Sequence, residues 1–120
     1  MPKISILIVE DESLIALGLA MAVEDLGSDV VGPVATVADA LALLAVGGID
    51  AAVIDANLLD GLVTPVAMLL TEQGVPFVVH SATGLPGELA SALAQAPLVM
   101  KPARPEHVVG KLIHSLRHGN

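Results

Sequence analysis

The 120-residue chain has no cysteine, tryptophan or tyrosine, and its one phenylalanine is Phe77. The missing cysteines exclude disulfides, a thiol nucleophile and Cys-based zinc or iron–sulfur sites together. A reducing compartment suits such a chain, and a cytoplasmic location is the expectation. The shortage of aromatics argues against a flavin or nucleotide site built on stacked rings. Charge is also scarce, at 15% of residues, and basic charge scarcer still: five Lys or Arg stand against thirteen Asp or Glu, a net −8 with neutral histidines. That balance lacks the basic footprint that non-specific nucleic-acid binding needs. Mean hydropathy is high, +0.80, yet no long apolar run accompanies it. The longest stretch free of formal charge, Gln73 to Gly87, is interrupted by Gly74, Pro76, His80, Gly84 and Pro86. It falls short of the roughly 20 apolar residues a spanning helix requires. The start, Met1-Pro2-Lys3 and then an apolar run, carries no small-residue cleavage site, so no membrane insertion and no leader are expected.

What is present alternates regularly. Ile4 to Val9 is a short β-branched run, read as a strand buried on both faces. Ser13 is placed to cap a helix from Leu14 to Leu26, with Gly27 as its left-handed stop. Val30 to Val34 reads as a second strand, and Pro33 marks it as an edge. Thr36 and Asp39 form an imperfect capping box for a helix from Val37 to Val46, and Ala51 to Ile54 is the third strand. Asn57 to Thr64 is a loop holding Asp60-Gly61, and Pro65 suits the first turn of a helix ending near Gly74. Phe77 to Ser81 is the fourth strand, Thr83 to Gly87 a loop, Glu88 to Gln95 a short helix, and Leu98 to Met100 the fifth strand. Pro105 opens the last helix, whose Val108, Val109, Leu112, Ile113 and Leu116 share one face. Five strands alternating with five helices predict a single α/β domain over residues 1–120 with a parallel sheet, since crossovers are right-handed. Buried strands account for part of the hydrophobicity. The first helix (Leu14 to Val23) and the fourth (Leu89 to Ala94) are apolar all round, which predicts a homodimer or partner surface.

In such sheets ligands bind beyond the carboxyl ends of the strands. Glu10, Asp11 and Glu12 follow the first strand, Asp55 and Asn57 the third, Ser81 ends the fourth, and Lys101-Pro102 follows the fifth. Several carboxylates on one rim would repel one another and raise one another's pKa values, which a hard cation such as Mg²⁺ relieves. Lys101 adds a positive charge and Ser81 a hydroxyl, features that suit a phosphoryl group. Asp55 is then the best nucleophile, and its attack on phosphorus would give an acyl phosphate. Taken singly, each residue has an ordinary explanation: the acids as a solvated turn at a helix N-terminus, Lys101 as a surface lysine, Ser81 as a helix-side hydroxyl. His80 reads as a packed or hydrogen-bonded histidine facing away from Ser81, and His114 and His118, a metal pair by their i, i+4 spacing, read rather as favourable charge at a helix C-terminus.

Four pieces in order, Ile6 to Glu12, Asp55 to Gly61, Pro76 to Ala82, and Lys101-Pro102, make the chain resemble a response regulator receiver domain over essentially its whole length. The resemblance implies the doubly wound, flavodoxin-like sheet of order 2-1-3-4-5. It implies that Asp55 accepts a phosphoryl group from a histidine kinase or histidine phosphotransferase, that Asp11 binds Mg²⁺ directly and Glu10 through water, and that Asn57 offers its backbone carbonyl to the metal. Ser81 would hydrogen-bond the phosphoryl group and Lys101 pair with it, a cis Lys101-Pro102 bond directing the ammonium. Asn57 and Thr83 would tune loss of the phosphoryl group. The family's aromatic switch position, three before the lysine, is Leu98 here, so an aromatic flip cannot carry the signal. The chain looks like an atypical single-domain receiver that switches contacts with an unidentified downstream protein and turns over no external substrate. Two alternatives stay open: a receiver-like interaction module that does not use phosphate, and a Mg²⁺-dependent phosphohydrolase.

Overall fold

Continuous apolar runs form the five strands of one parallel sheet in the computed structural model, which describes residues 3–82 and 96–118. The expected Thr83–Gly87 loop, the Glu88–Gln95 helix with its apolar face, and the role given to Thr83 lie outside these residues. The strands are β1 (Ser5–Val9), β2 (Asp29–Val34), β3 (Ala51–Asp55), β6 (Phe77–Ser81) and β7 (Leu98–Met100). Between β3 and β6 lies a small antiparallel pair, β4 (Asn57–Leu58) and β5 (Gly61–Leu62). The main sheet runs β2-β1-β3-β6-β7. Counted without the small pair, this is the expected order 2-1-3-4-5, with Pro33 on an edge strand that needs fewer donors.

Period-two alternation divides the core between the two faces of the sheet. Leu7, Val9, Ile54 and Val79 pack on one side with Leu44, Val66 and Leu70, from helices α2 (Val37–Val46) and α3 (Thr64–Glu72). Ile6, Ile8, Val53 and Val78 pack on the other with Leu19, Val23, Val108 and Leu112, from α1 (Ser13–Asp25) and α4 (Pro105–His118). The predicted inward face of α4 holds, with Val108, Val109 and Leu112 fully buried. Leu14, Leu17 and Met21 of α1 remain 84%, 57% and 55% exposed. At i, i+3 and i+7 they form the apolar stripe anticipated for that helix. No described helix is long and apolar enough to cross a membrane.

Two local expectations are corrected. Ser13 does not cap α1 but is its first helical residue; Glu12 holds the cap position and makes no side-chain cap bond. The Glu12 N–H donates instead to Glu10 Oε2 at 3.2 Å, which turns the chain into the helix one residue early. The stretch expected as a plain loop contains the β4–β5 hairpin. Leu58, beside the turn, is buried, and at the base the Val63 N–H donates to the Ala56 carbonyl. Thr36 does cap α2, accepting from the Asp39 N–H at 3.1 Å.

Two helical glycines test the packing of α1 on α4. A Cβ at Gly18 would lie 3.0 Å from Pro105 Cγ, whereas one at Gly110 would meet nothing within 4 Å. Gly110→Ala is therefore expected to stabilise the fold by about 0.5–1 kcal/mol, from helix propensity alone. Gly18→Ala should show no such gain, because the rigid proline ring must move. Urea unfolding of both variants checks this, and equal gains would contradict the close approach.

Candidate functional site

Four strand ends deliver the polar residues to one rim. Glu10 follows β1, Asp55 ends β3, Ser81 ends β6 and Lys101 follows β7; the register sets Asp55 beside His80 and Ser81 beside Met100. Glu10 and Asp55 are buried at 3% and 6% exposure, and Ser81 is fully buried. Carboxylate oxygens of Glu10, Asp11 and Asp55 lie within 4.8 Å of one another. Among the described residues this is the one group of three with metal-ligand spacing.

Lys101 joins this cluster. Its Nζ lies 3.2 Å from Asp55 Oδ2, 3.2 Å from Glu10 Oε1 and 3.3 Å from Glu12 Oε1. Its backbone N–H donates to the Ser81 carbonyl at 2.8 Å, tying β7 to β6 directly beneath the side chain. The Lys101–Pro102 bond is cis, as the resemblance implied. The other Asp55 oxygen, Oδ1, accepts weakly from the Asn57 N–H at 3.4 Å. Thus Glu10, Asp11, Asp55, Lys101 and the Asn57 backbone meet in one place. The Asn57 side chain is exposed, and Leu98 lies on β7, 37% exposed.

The ionisations follow from this crowding. Burial, a hydrogen bond shared with Asp55 and the Asp55 charge push Glu10 up to about 7, against the pull of the Glu12 N–H and Lys101. Burial works against the Lys101 ammonium, but Glu10 and Asp55 outweigh it and raise its pKa. Burial and the nearby Lys101 lower His80. His80 is 2% exposed and packed as expected, but neither ring nitrogen has a hydrogen-bond partner; Nδ1 stands 3.9 Å from Glu10 Oε1. Glu10 Oε1 makes no well-directed hydrogen bond, although the Lys101 ammonium stands 3.2 Å from it. One ammonium shared among several carboxylates leaves an all-oxygen set, Glu10, Asp11 and Asp55, that suits a hard divalent cation.

Two contacts escape a reading of the sequence. Glu12 is a third carboxylate on Lys101, a pairing across 89 positions that no local pattern reveals. Asp60, at the tip of the β4–β5 hairpin, accepts from the Val37 and Ala38 N–H groups at 2.7 and 3.2 Å. It thus caps a helix that starts 23 positions upstream, beside that helix's own cap, Thr36.

Because the folded chain keeps a proton on Glu10 that the unfolded chain loses above about 4.5, this group favours the fold at low pH. Its contribution fades as pH rises from about 4.5 through 7. Without divalent cations, the protein should lose about 1–3 kcal/mol between pH 5 and 8 relative to Glu10→Gln. Paired urea titrations measure this; parallel pH profiles would contradict the burial of an ionising Glu10.

No family model and no curated protein matches the chain. Solved structures do. SdrG from Sphingomonas melonis Fr1 is 38% identical over 98% of this chain and 99% of its own, with a TM-score of 0.81. The BeF3-activated conformation of SdrG, from Pseudomonas melonis Fr1, is 42% identical over 97% and 98%, with a TM-score of 0.73. The PhyR response regulator REC domain of Erythrobacter litoralis is 29% identical over 98% and 92%, with a TM-score of 0.78.

Proposed function

The chain belongs to the response regulator receiver family, and on that premise we propose that it is a phosphoacceptor of two-component signalling. A carboxyl oxygen of Asp55 attacks the phosphorus of a phosphohistidine on a histidine kinase or histidine phosphotransferase. The P–O bond forms as the P–N bond breaks, and the departing imidazole takes up a proton. Water later cleaves the acyl phosphate, returning the carboxylate and inorganic phosphate, so the chain processes only its own modification. The observation that carries this reading is Asp55, buried at the end of a central strand, 3.2 Å from the Lys101 ammonium and grouped with two further carboxylates. A relative solved in a BeF3-activated conformation adds support, since beryllium holding three fluorides and a carboxylate oxygen is tetrahedral, as phosphorus is in an acyl phosphate.

Glu10, Asp11, Asp55 and the Asn57 carbonyl would hold Mg²⁺, which supplies charge neutralisation where phosphoryl oxygens meet carboxylates. Lys101 keeps its ammonium on Asp55 and would pair with the incoming oxygens, relinquishing the exposed Glu12. Ser81 would donate its hydroxyl to the phosphoryl group. A phosphoryl group that gains these contacts in one arrangement of the rim shifts the population toward it. With Leu98 at the aromatic switch position, the change is read by a protein partner through other contacts. The exposed Leu14, Leu17 and Met21 stripe supports a protein partner or a second copy. We place the protein in the cytoplasm, where kinases of this kind present phosphohistidine.

Incubation with acetyl phosphate, with and without Mg²⁺, followed by intact-mass measurement tests the proposal. One phosphoryl adduct is expected, dependent on Mg²⁺ and absent in Asp55→Asn. No adduct under any condition would favour a constitutive interaction module. Turnover of unrelated phosphoesters would favour a phosphohydrolase.

A further inference from the structure

The β4–β5 hairpin pairs only two residues on each side, Asn57 with Leu62 and Leu58 with Gly61. So small a hairpin has no stability of its own, and its position must come from what holds it. At its base Val63 enters the core and its N–H donates to the Ala56 carbonyl, and Leu58, paired with Gly61 beside the turn, is buried as well. At its tip the neighbouring Leu59 is 73% exposed, and the side chain that reaches back to the fold is Asp60. Each Asp60 oxygen takes one N–H at the start of α2, Val37 to Oδ1 and Ala38 to Oδ2. Those donors have no intrahelical partner, and the helix terminus favours negative charge. The Val37 N–H, followed by that of Ala38, holds the carboxyl below its ordinary range despite some burial cost.

The hairpin begins at Asn57, two residues after Asp55, and the Asn57 N–H is the donor to Asp55 Oδ1. On the reading that this rim binds Mg²⁺ and phosphate, the Asn57 carbonyl is also a metal ligand. We propose that Asp60 is a positioning residue for the phosphoacceptor site: by clamping the hairpin tip to the N-terminus of α2, it fixes the Asn57 backbone beside Asp55. The clamp acts through backbone placement, and Asp60 itself touches neither metal nor phosphoryl group. It also joins the site to α2, on the side of the sheet opposite α1 and α4.

A variant that merely weakens α2 supplies the control. Thr36→Ala removes the other cap of the same helix terminus without touching the hairpin. Mg²⁺ binding by calorimetry and the rate of acetyl phosphate labelling are measured on wild type, Thr36→Ala, Asp60→Ala and Asp60→Asn, alongside thermal unfolding. Asp60→Ala is expected to weaken Mg²⁺ binding about tenfold, the scale seen for residues that orient ligands, and to slow labelling. Thr36→Ala should lower the unfolding temperature yet leave Mg²⁺ affinity unchanged. Asp60→Asn keeps one acceptor oxygen for one of the two N–H groups and should fall between wild type and Asp60→Ala. Equal Mg²⁺ affinity in wild type and Asp60→Ala, or equal losses in Thr36→Ala and Asp60→Ala, would overturn the clamp while leaving the site reading intact. A wild-type chain that binds no Mg²⁺ and takes no phosphoryl group would overturn both.

Discussion

One ammonium group organises the carboxyl rim of this protein. Lys101 reaches Glu10, Glu12 and Asp55, each at about hydrogen-bonding distance, while Asp11 lies within the same cluster unpaired with it. A single positive charge among four acids leaves surplus negative charge in a partly buried place. That surplus is relieved by protonation, toward which burial and Asp55 push Glu10, or by another cation. The strands that feed the rim are apolar until their last residues, where Asp55, His80 and Ser81 stand. The sheet therefore carries these charges outward to one edge and concentrates them there.

The backbone was legible because buried parallel strands leave a plain signature: five apolar runs, separated by glycines, prolines and caps, with Pro33 marking an edge. The core of the site was legible for a related reason. Residues that end successive parallel strands must converge, so Glu10, Asp11, Asp55 and Lys101 could be grouped from order alone. Contacts that depend on where loops fold back were not. Nothing near Asp60 indicates a helix start 23 positions earlier, and the strand order that puts Glu12 and Lys101 on one rim does not say that they touch. Ser13 misled because serine is a favoured cap, whereas a hydrogen bond from the Glu12 N–H to Glu10 moved the turn by one residue.

The two faces of the sheet divide the work. The α1 and α4 face carries the exposed Leu14, Leu17 and Met21 and the close Gly18–Pro105 approach. The α2 and α3 face receives the hairpin that leaves Asp55. The chain is also polarised in charge: residues 1–100 hold Lys3 against twelve acids, a net −11, and residues 101–120 hold four bases against Glu106, a net +3. The basic end begins at Lys101, so the residue that compensates the acidic rim is also where the chain changes sign.

The central claim is that Lys101 and a divalent cation compensate the same carboxylates. Calorimetric titration of wild type and Lys101→Met with Mg²⁺ at pH 8, where Glu10 is largely ionised, tests it most directly. Removing the ammonium leaves the cluster more negative, so the variant should bind Mg²⁺ more tightly than wild type. Unchanged or weaker binding by a folded Lys101→Met variant would contradict the account.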